Sequence, residues 1–303
     1  MVVRVVVGLV ASCAALACGA AQREPTVSPL LSPSWRLVEA GPGGGSVWRG
    51  PIANGAVPDA RRETLVYLPP GARPDAHYPL VVLLHGFPGG PYSYTDSLEL
   101  PQIADALISS FAVPPFVAVI PPAGVSGWYD GEWAGPWESF LLRDVLPWAK
   151  ARLPVARDRR QWAIAGLSAG GYGAADVALR HPRLFGTVES WSGYFGAPRD
   201  GPLHGASRRE LLMHDPSVLA ASKAPLLRRL GTRFFVESAT TQDRASARRA
   251  VRFARELRHL GLPYRLLLAP GGHDGAFWRA HLATALRYAL APAAVERTPA
   301  GPS

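Results

Sequence analysis

The residues Gly166-Leu167-Ser168-Ala169-Gly170-Gly171 follow an apolar run, Trp162-Ala163-Ile164-Ala165, and open a stretch rich in alanine. A serine with glycine two residues to either side, between a strand and a helix, suits a turn so sharp that any Cβ at the flanking positions would clash. Such a turn exposes the hydroxyl and aims the free N–H groups of the helix start at whatever the serine attacks. A tight structural turn is the plainer reading, and the strand-then-helix context favours the nucleophile. A serine hydroxyl needs a base, and the base needs an acid to orient it. His273, in Pro270-Gly271-Gly272-His273-Asp274-Gly275 after the last predicted strand, is the histidine placed to swing over the serine. The acid is expected in the segment 237–243, with Asp243 the choice and Glu237 the alternative. Asp243 also suits the cap of the helix that follows, and the two roles are compatible because a carboxylate has two oxygens. Asp274 is set aside, since a backbone neighbour rarely reaches the imidazole Nδ1.

A second turn, His85-Gly86-Phe87-Pro88-Gly89-Gly90, follows the apolar run Val81-Val82-Leu83-Leu84. Its glycines let a backbone N–H face a reacting carbonyl, so the amides of Phe87 and Ala169 are the expected oxyanion donors. His85 reads as a residue that orients this turn rather than as a second base. Tyr92, Tyr94, Trp128, Tyr129, Trp133 and Trp191 lie in or beside strand-end loops and could wall a substrate site, Trp128 and Trp191 foremost; aromatic side chains there pack locally just as often. The loop 121–136 is the expected lid or specificity element.

Loops that carry chemistry need a scaffold, and the chain supplies one by alternation. β-branched runs at 45–52, 63–68, 80–85, 116–120, 161–166, 187–191, 234–238 and 264–269 read as strands. Helical patterns fill 100–111, 137–152, 169–181, 216–229, 243–260 and 277–290. The first two strands adjoin without a helix, which suits an antiparallel start. The rest form strand–helix–strand crossovers, so the predicted class is α/β, with a mostly parallel central sheet, helices on both faces, and ligands at the C-terminal strand ends.

The 303 residues are 48% hydrophobic and 18% charged, an ordinary globular balance. Both cysteines, Cys13 and Cys18, lie near the N-terminus. No disulfide framework, thiolate metal cluster or cysteine nucleophile is therefore expected beyond them. Arg4, the apolar stretch 5–17 and the small residues that follow read as an export signal over 1–21. Cys18, after Ala15-Leu16-Ala17, is also placed as a lipid-attachment cysteine, which would tether the exported protein to a membrane face; plain secretion is the equal alternative. Residues 22–44, ending in Gly41-Pro42-Gly43-Gly44-Gly45, read as a linker, 45–293 as the catalytic domain, and 294–303 as a disordered tail. Of the 32 basic residues 30 are Arg, scattered or repeated at helical spacing as in Arg244, Arg248, Arg252 and Arg255. That pattern reads as compositional bias and a solvated helix face, and no nucleic-acid partner is expected.

Taken in order, 63–70, His85-Gly86, Trp137-Glu138, Pro147-Trp148, the Ser168 turn through Ala174, Arg180-His181-Pro182-Arg183-Leu184-Phe185, Trp191-Ser192-Gly193-Tyr194 and Gly271-Gly272-His273 with Trp278 resemble the putative-esterase family of α/β-hydrolases. That family includes esterase D-like and feruloyl-esterase-like enzymes and secreted mycolyltransferases. The resemblance implies the α/β-hydrolase fold and a Ser-His-Asp ester hydrolase that acts on small-molecule or glycan esters without cofactor or metal. An acyltransferase moving the acyl group to a sugar shares every such residue, and a binding module on the same fold is a third reading. Many relatives carry a glycine and an acidic pair near the acid, where this chain reads Ser238-Ala239-Thr240-Thr241-Gln242-Asp243.

Overall fold

The computed structural model describes residues 28, 30–53, 55, 63–124 and 133–292. The expected export signal with both cysteines, residues 22–27 and 29, the stretch 125–132 of the expected lid with Trp128 and Tyr129, and the tail 294–303 lie outside the described residues. Nine strands, β1 (Arg36–Ala40), β2 (Ser46–Gly50), β3 (Thr64–Leu68), β4 (Leu80–Leu84), β5 (Val117–Ile120), β6 (Trp162–Leu167), β7 (Thr187–Trp191), β8 (Arg233–Ala239) and β9 (Tyr264–Ala269), form one sheet in the order β1-β2-β3-β5-β4-β6-β7-β8-β9. The first three run antiparallel, and the six from β5 to β9 are parallel to one another. The helices are α1 (Leu100–Ser109), α2 (Pro136–Phe140), α3 (Leu146–Arg152), α4 (Ala169–Arg180), α5 (Arg208–Met213), α6 (Pro216–Arg229), α7 (Arg244–His259) and α8 (Gly275–Ala289).

The side-chain period of two splits the core between the two faces of the sheet. Leu80, Val82 and Leu84 of β4 face one side, with α4, α6 and α7, while Val81 and Leu83 face the other, with α1 and α8. Strands covered on both faces have no polar side to show, which is why β4 and β5 are continuous apolar runs. The predicted helix 137–152 is instead α2 and α3 joined by one π-helical turn, Leu141–Val145. There the Leu146 N–H reaches back five residues to the Leu141 carbonyl, just ahead of Pro147, which has no N–H to continue the regular ladder.

The expected linker 22–44 needs correction at its C-terminal end, because Arg36–Ala40 is a sheet strand and Gly41 to Gly45 is its hairpin turn to β2. Those glycines close around the buried carboxylate of Asp105 on α1. Its Oδ2 accepts from the amides of Gly43 and Gly45 at 2.8 and 3.0 Å, and its Oδ1 from the Tyr67 hydroxyl at 2.7 Å. A Cβ on Gly41 or Gly45 would lie 2.3 or 2.1 Å from a carboxylate oxygen, so no larger residue fits. Burial and then the adjacent carboxylate hold the Tyr67 hydroxyl protonated far above its usual range. Asp105→Ala leaves the buried Gly45 amide and Tyr67 hydroxyl, and the Gly43 amide, without their acceptor and is expected to cost about 2–4 kcal/mol, read as a lower denaturant midpoint at unchanged slope.

Candidate active site

The chain leaves β4 toward β5 on one side and leaves β6 toward β7 on the other. This reversal opens a crevice between the C-terminal ends of β4 and β6, where α/β sheets hold their ligands. Ser168 sits there with φ 54° and ψ −119°, a conformation that an L-residue adopts only under constraint. Its amide donates to the Trp191 carbonyl at 2.8 Å, and its carbonyl accepts from Gly171 and Tyr172 as α4 begins. A Cβ on Gly166 would lie 2.3 Å from the Gly170 carbonyl oxygen, and one on Gly170 would lie 2.0 Å from that of Leu84. The glycines therefore let α4 start directly against the ends of β6 and β4.

The Ser168 hydroxyl donates to His273 Nε2 at 2.8 Å, and His273 Nδ1–H donates to Asp243 Oδ2 at 2.6 Å. Asp243 uses Oδ1 to cap α7, accepting from the Ser246 amide at 3.2 Å. Partial burial pushes the Asp243 carboxyl upward, but the bonds from His273 and Ser246 outweigh it and hold the group below the usual aspartate range. Glu237 is excluded as the acid next to His273. It points from β8 into the core beneath α8, where burial raises its carboxyl to about 8. Asp274 caps α8, accepting from the Phe277 amide at 2.9 Å.

The turn after β4 lies against the serine, since a Cβ on Gly86 would be 3.0 Å from Ser168 Cβ. Phe87 lines the cleft with Ser168, and Ala169 opens α4, whose first amides have no carbonyl within the helix. His85 is buried and holds this turn. The Ala123 amide donates to its Nε2 at 2.9 Å, so Nδ1 carries the proton and donates to the Gly86 carbonyl at 2.9 Å. Beside Ser168 is a cleft of about 210 Å³, lined in part by Phe87, Ser93, Ser97, Leu98 and Trp278.

The aromatic wall needs correction. Trp191 is 1% exposed and donates its indole N–H to Glu189 Oε2 at 3.0 Å, so it belongs to the core and not to a substrate surface. Tyr94 and Trp133 are buried as well, their polar atoms spent on the carbonyls of Leu84 and His85, while Tyr92 stays exposed. A strand-end aromatic can face the cleft or the sheet, and composition does not distinguish them. The structure adds Trp278, whose ring packs edge-on to His273 at 5.1 Å and whose indole donates to Ser192 Oγ at 3.2 Å. Its place on the inward face of α8, one turn past His273, was the available signal. Among the described residues no group of three or more His, Cys, Asp or Glu side chains could hold a metal ion.

Solved structures of a ferulic acid esterase and of an S-formylglutathione hydrolase from Agrobacterium tumefaciens share this architecture, the α/β-hydrolase fold. Their TM-scores are 0.70 and 0.65 at 24% and 18% identity, over 81% and 85% of this chain and 98% of each of theirs. An esterase of Mycobacterium tuberculosis is 31% identical over 41% of this chain, and an uncharacterized protein of Corynebacterium glutamicum is 31% identical over 44%. The matched stretches are 27% and 32% of those proteins, so this chain spans about a third or less of the curated relatives it matches. The model of the family described as Putative esterase matches residues 55–289, from ahead of β3 to the end of α8 and across every side chain of the hydrogen-bonded relay, and the chain belongs to that family.

Proposed function

We propose that this protein hydrolyses carboxylic esters of small molecules through an acyl-enzyme on Ser168. The observation that carries the reading is the unbroken relay from Ser168 through His273 to Asp243 at the end of a strained strand-to-helix turn. His273 Nε2 takes the hydroxyl proton as Ser168 Oγ bonds to the ester carbonyl carbon. The carbonyl π pair moves onto oxygen, and the amides of Phe87 and Ala169 stabilise that charge. Asp243 stays ionised and steadies the imidazolium. Collapse of the intermediate expels the alkoxide, which takes the proton from His273, and leaves the acyl group on Ser168. Water, deprotonated by the same nitrogen, then attacks the acyl carbon and releases the acid and the free serine. The family match and the ester-hydrolase names of its relatives support this reading.

Ser168→Ala is expected to lower hydrolysis of p-nitrophenyl acetate by about 10³-fold or more and to abolish labelling by a fluorophosphonate probe. Labelling elsewhere with activity intact overturns the assignment.

The two acids separate cleanly. Asp243→Asn removes the acceptor that fixes the His273 tautomer and is expected to reduce kcat by about 10⁴-fold, whereas Glu237→Gln should leave kcat within about threefold of wild type. Glu237 instead acts on stability. Because burial raises its carboxyl from 4.5 to about 8, the folded state keeps a proton that the unfolded chain has lost between those pH values. Stability therefore falls as pH rises through that window and levels off above it. In Glu237→Gln the decline in unfolding free energy from pH 5 to pH 9 should be smaller than in wild type. An identical pH slope in the two proteins contradicts the buried carboxylic acid.

Export under the N-terminal signal, with Cys18 as a lipid-attachment site, is part of the same proposal and rests on the sequence alone. Plain secretion is the equal alternative, and intact mass of the native protein separates the two: an N-terminal cysteine carrying a diacylglyceryl group gives the tethered form. An unmodified N-terminus beyond Cys18 leaves a secreted enzyme.

A further inference from the structure

Helix α7 carries Arg244, Arg248, Arg249, Arg252, Arg255 and Arg258 against one acid, Glu256. All six arginines are exposed, and none belongs to an ion pair among the described residues. Solvated helix faces commonly set acids three or four residues from their bases, whereas like charges at that spacing weaken the helix. Arg244, Arg248 and Arg252 repeat at four residues, and Arg252, Arg255 and Arg258 at three. The stripe thus works against its own helix unless something anionic lies on it.

Alongside it runs an open groove of about 1320 Å³ between α6 and α7. Val218, Ala221 and Val251 line it together with Arg248, Arg252 and Arg255, and Glu256 is the single acid there. Val218 is 40% exposed, and Leu212 and Met213, on α5 just ahead of α6, are 44% and 50% exposed. Apolar side chains set among unpaired arginines match the boundary between lipid headgroups and acyl chains. A nucleic acid would find no Phe, Tyr or Trp in this groove on which to stack its bases, and His259 is the single ring there.

We infer that the α6–α7 face docks on an anionic lipid surface, with the arginines on headgroup phosphates and Val218 entering the apolar boundary. The assignment is independent of the chemistry at Ser168. It gives the arginine excess a place in the fold: the face belongs to the helix whose N-terminal cap, Asp243, holds His273.

The test is flotation of the full-length protein with vesicles of phosphatidylcholine alone or mixed with phosphatidylglycerol. The N-terminal segment with Arg4 is the same in wild type and in a variant of α7, so the difference between the two isolates the α7 arginines. Each basic residue near an anionic surface is worth about fivefold in binding, so the preference should be on the order of a hundredfold or more in low salt and shrink with added salt. The triple variant Arg248→Glu, Arg252→Glu, Arg255→Glu should lose it while hydrolysing a soluble p-nitrophenyl ester at the wild-type rate, which reports that it is folded. Equal binding to both vesicle types, or an anionic preference that survives in the triple variant, overturns the proposal.

Discussion

The backbone of Ser168 is the constraint on which the rest is built. An L-serine at φ 54° costs on the order of 1–3 kcal/mol, and only a surrounding structure that over-determines the turn can hold it. Here β6 arrives buried on both faces, the Ser168 amide is bonded to the end of β7, and α4 departs at once. No Cβ is tolerated at Gly166 or Gly170, because each would strike a backbone carbonyl. The same close approach seats the turn after β4 against the serine. Ser168 and the turn after β4 are thus positioned together by one steric demand, with His85 fixing the far side of that turn through its two ring nitrogens.

Three buried or half-buried acids show how environment sorts carboxyl groups that the sequence presents alike. Asp105 is deep, and three donors surround its two oxygens. Asp243, past the end of β8, gains bonds from His273 and from a helix start and remains ionised. Glu237 lies two strand positions beyond Phe235 and so shares its face under α8, where burial favours the neutral acid. Glu189, on the neighbouring strand β7, is pushed the same way by burial, against the Trp191 indole donor and the charge of Arg233. An acid at a strand end and an acid within the strand thus have different chemistry although only six residues separate them.

What the sequence revealed follows from the same physics. The Ser168 turn was legible because its strain is recorded in glycines two residues away, and the parallel strands were legible because double burial leaves apolar runs. His273 and Asp243 were legible from their place after strands, together with the helix cap. β1 was hidden because Gly41-Pro42-Gly43-Gly44-Gly45 has a linker's composition, and the reason for those glycines, Asp105, lies some sixty residues away. Trp191 misled because an aromatic beside the site looks the same whether it faces the cleft or the sheet. Its bond to Glu189, two residues back on the same strand face, is a matter of strand parity. The short helix α5 has too few turns to show a period at all.

Asp243 ties these levels together through its two oxygens. Oδ1 satisfies an amide of the first turn of α7, and the helix dipole in turn favours negative charge at that position. The bonds from His273 and from Ser246 together keep the carboxylate below the usual aspartate range. Its second oxygen then fixes the proton on His273 Nδ1, so that Nε2 faces Ser168 as an acceptor. The cap and the acid are one group, and the orientation of His273 is set by the start of α7 as much as by its own loop. A change that tilts α7 against the sheet must therefore reach the imidazole, while one that alters only the exposed arginine stripe need not.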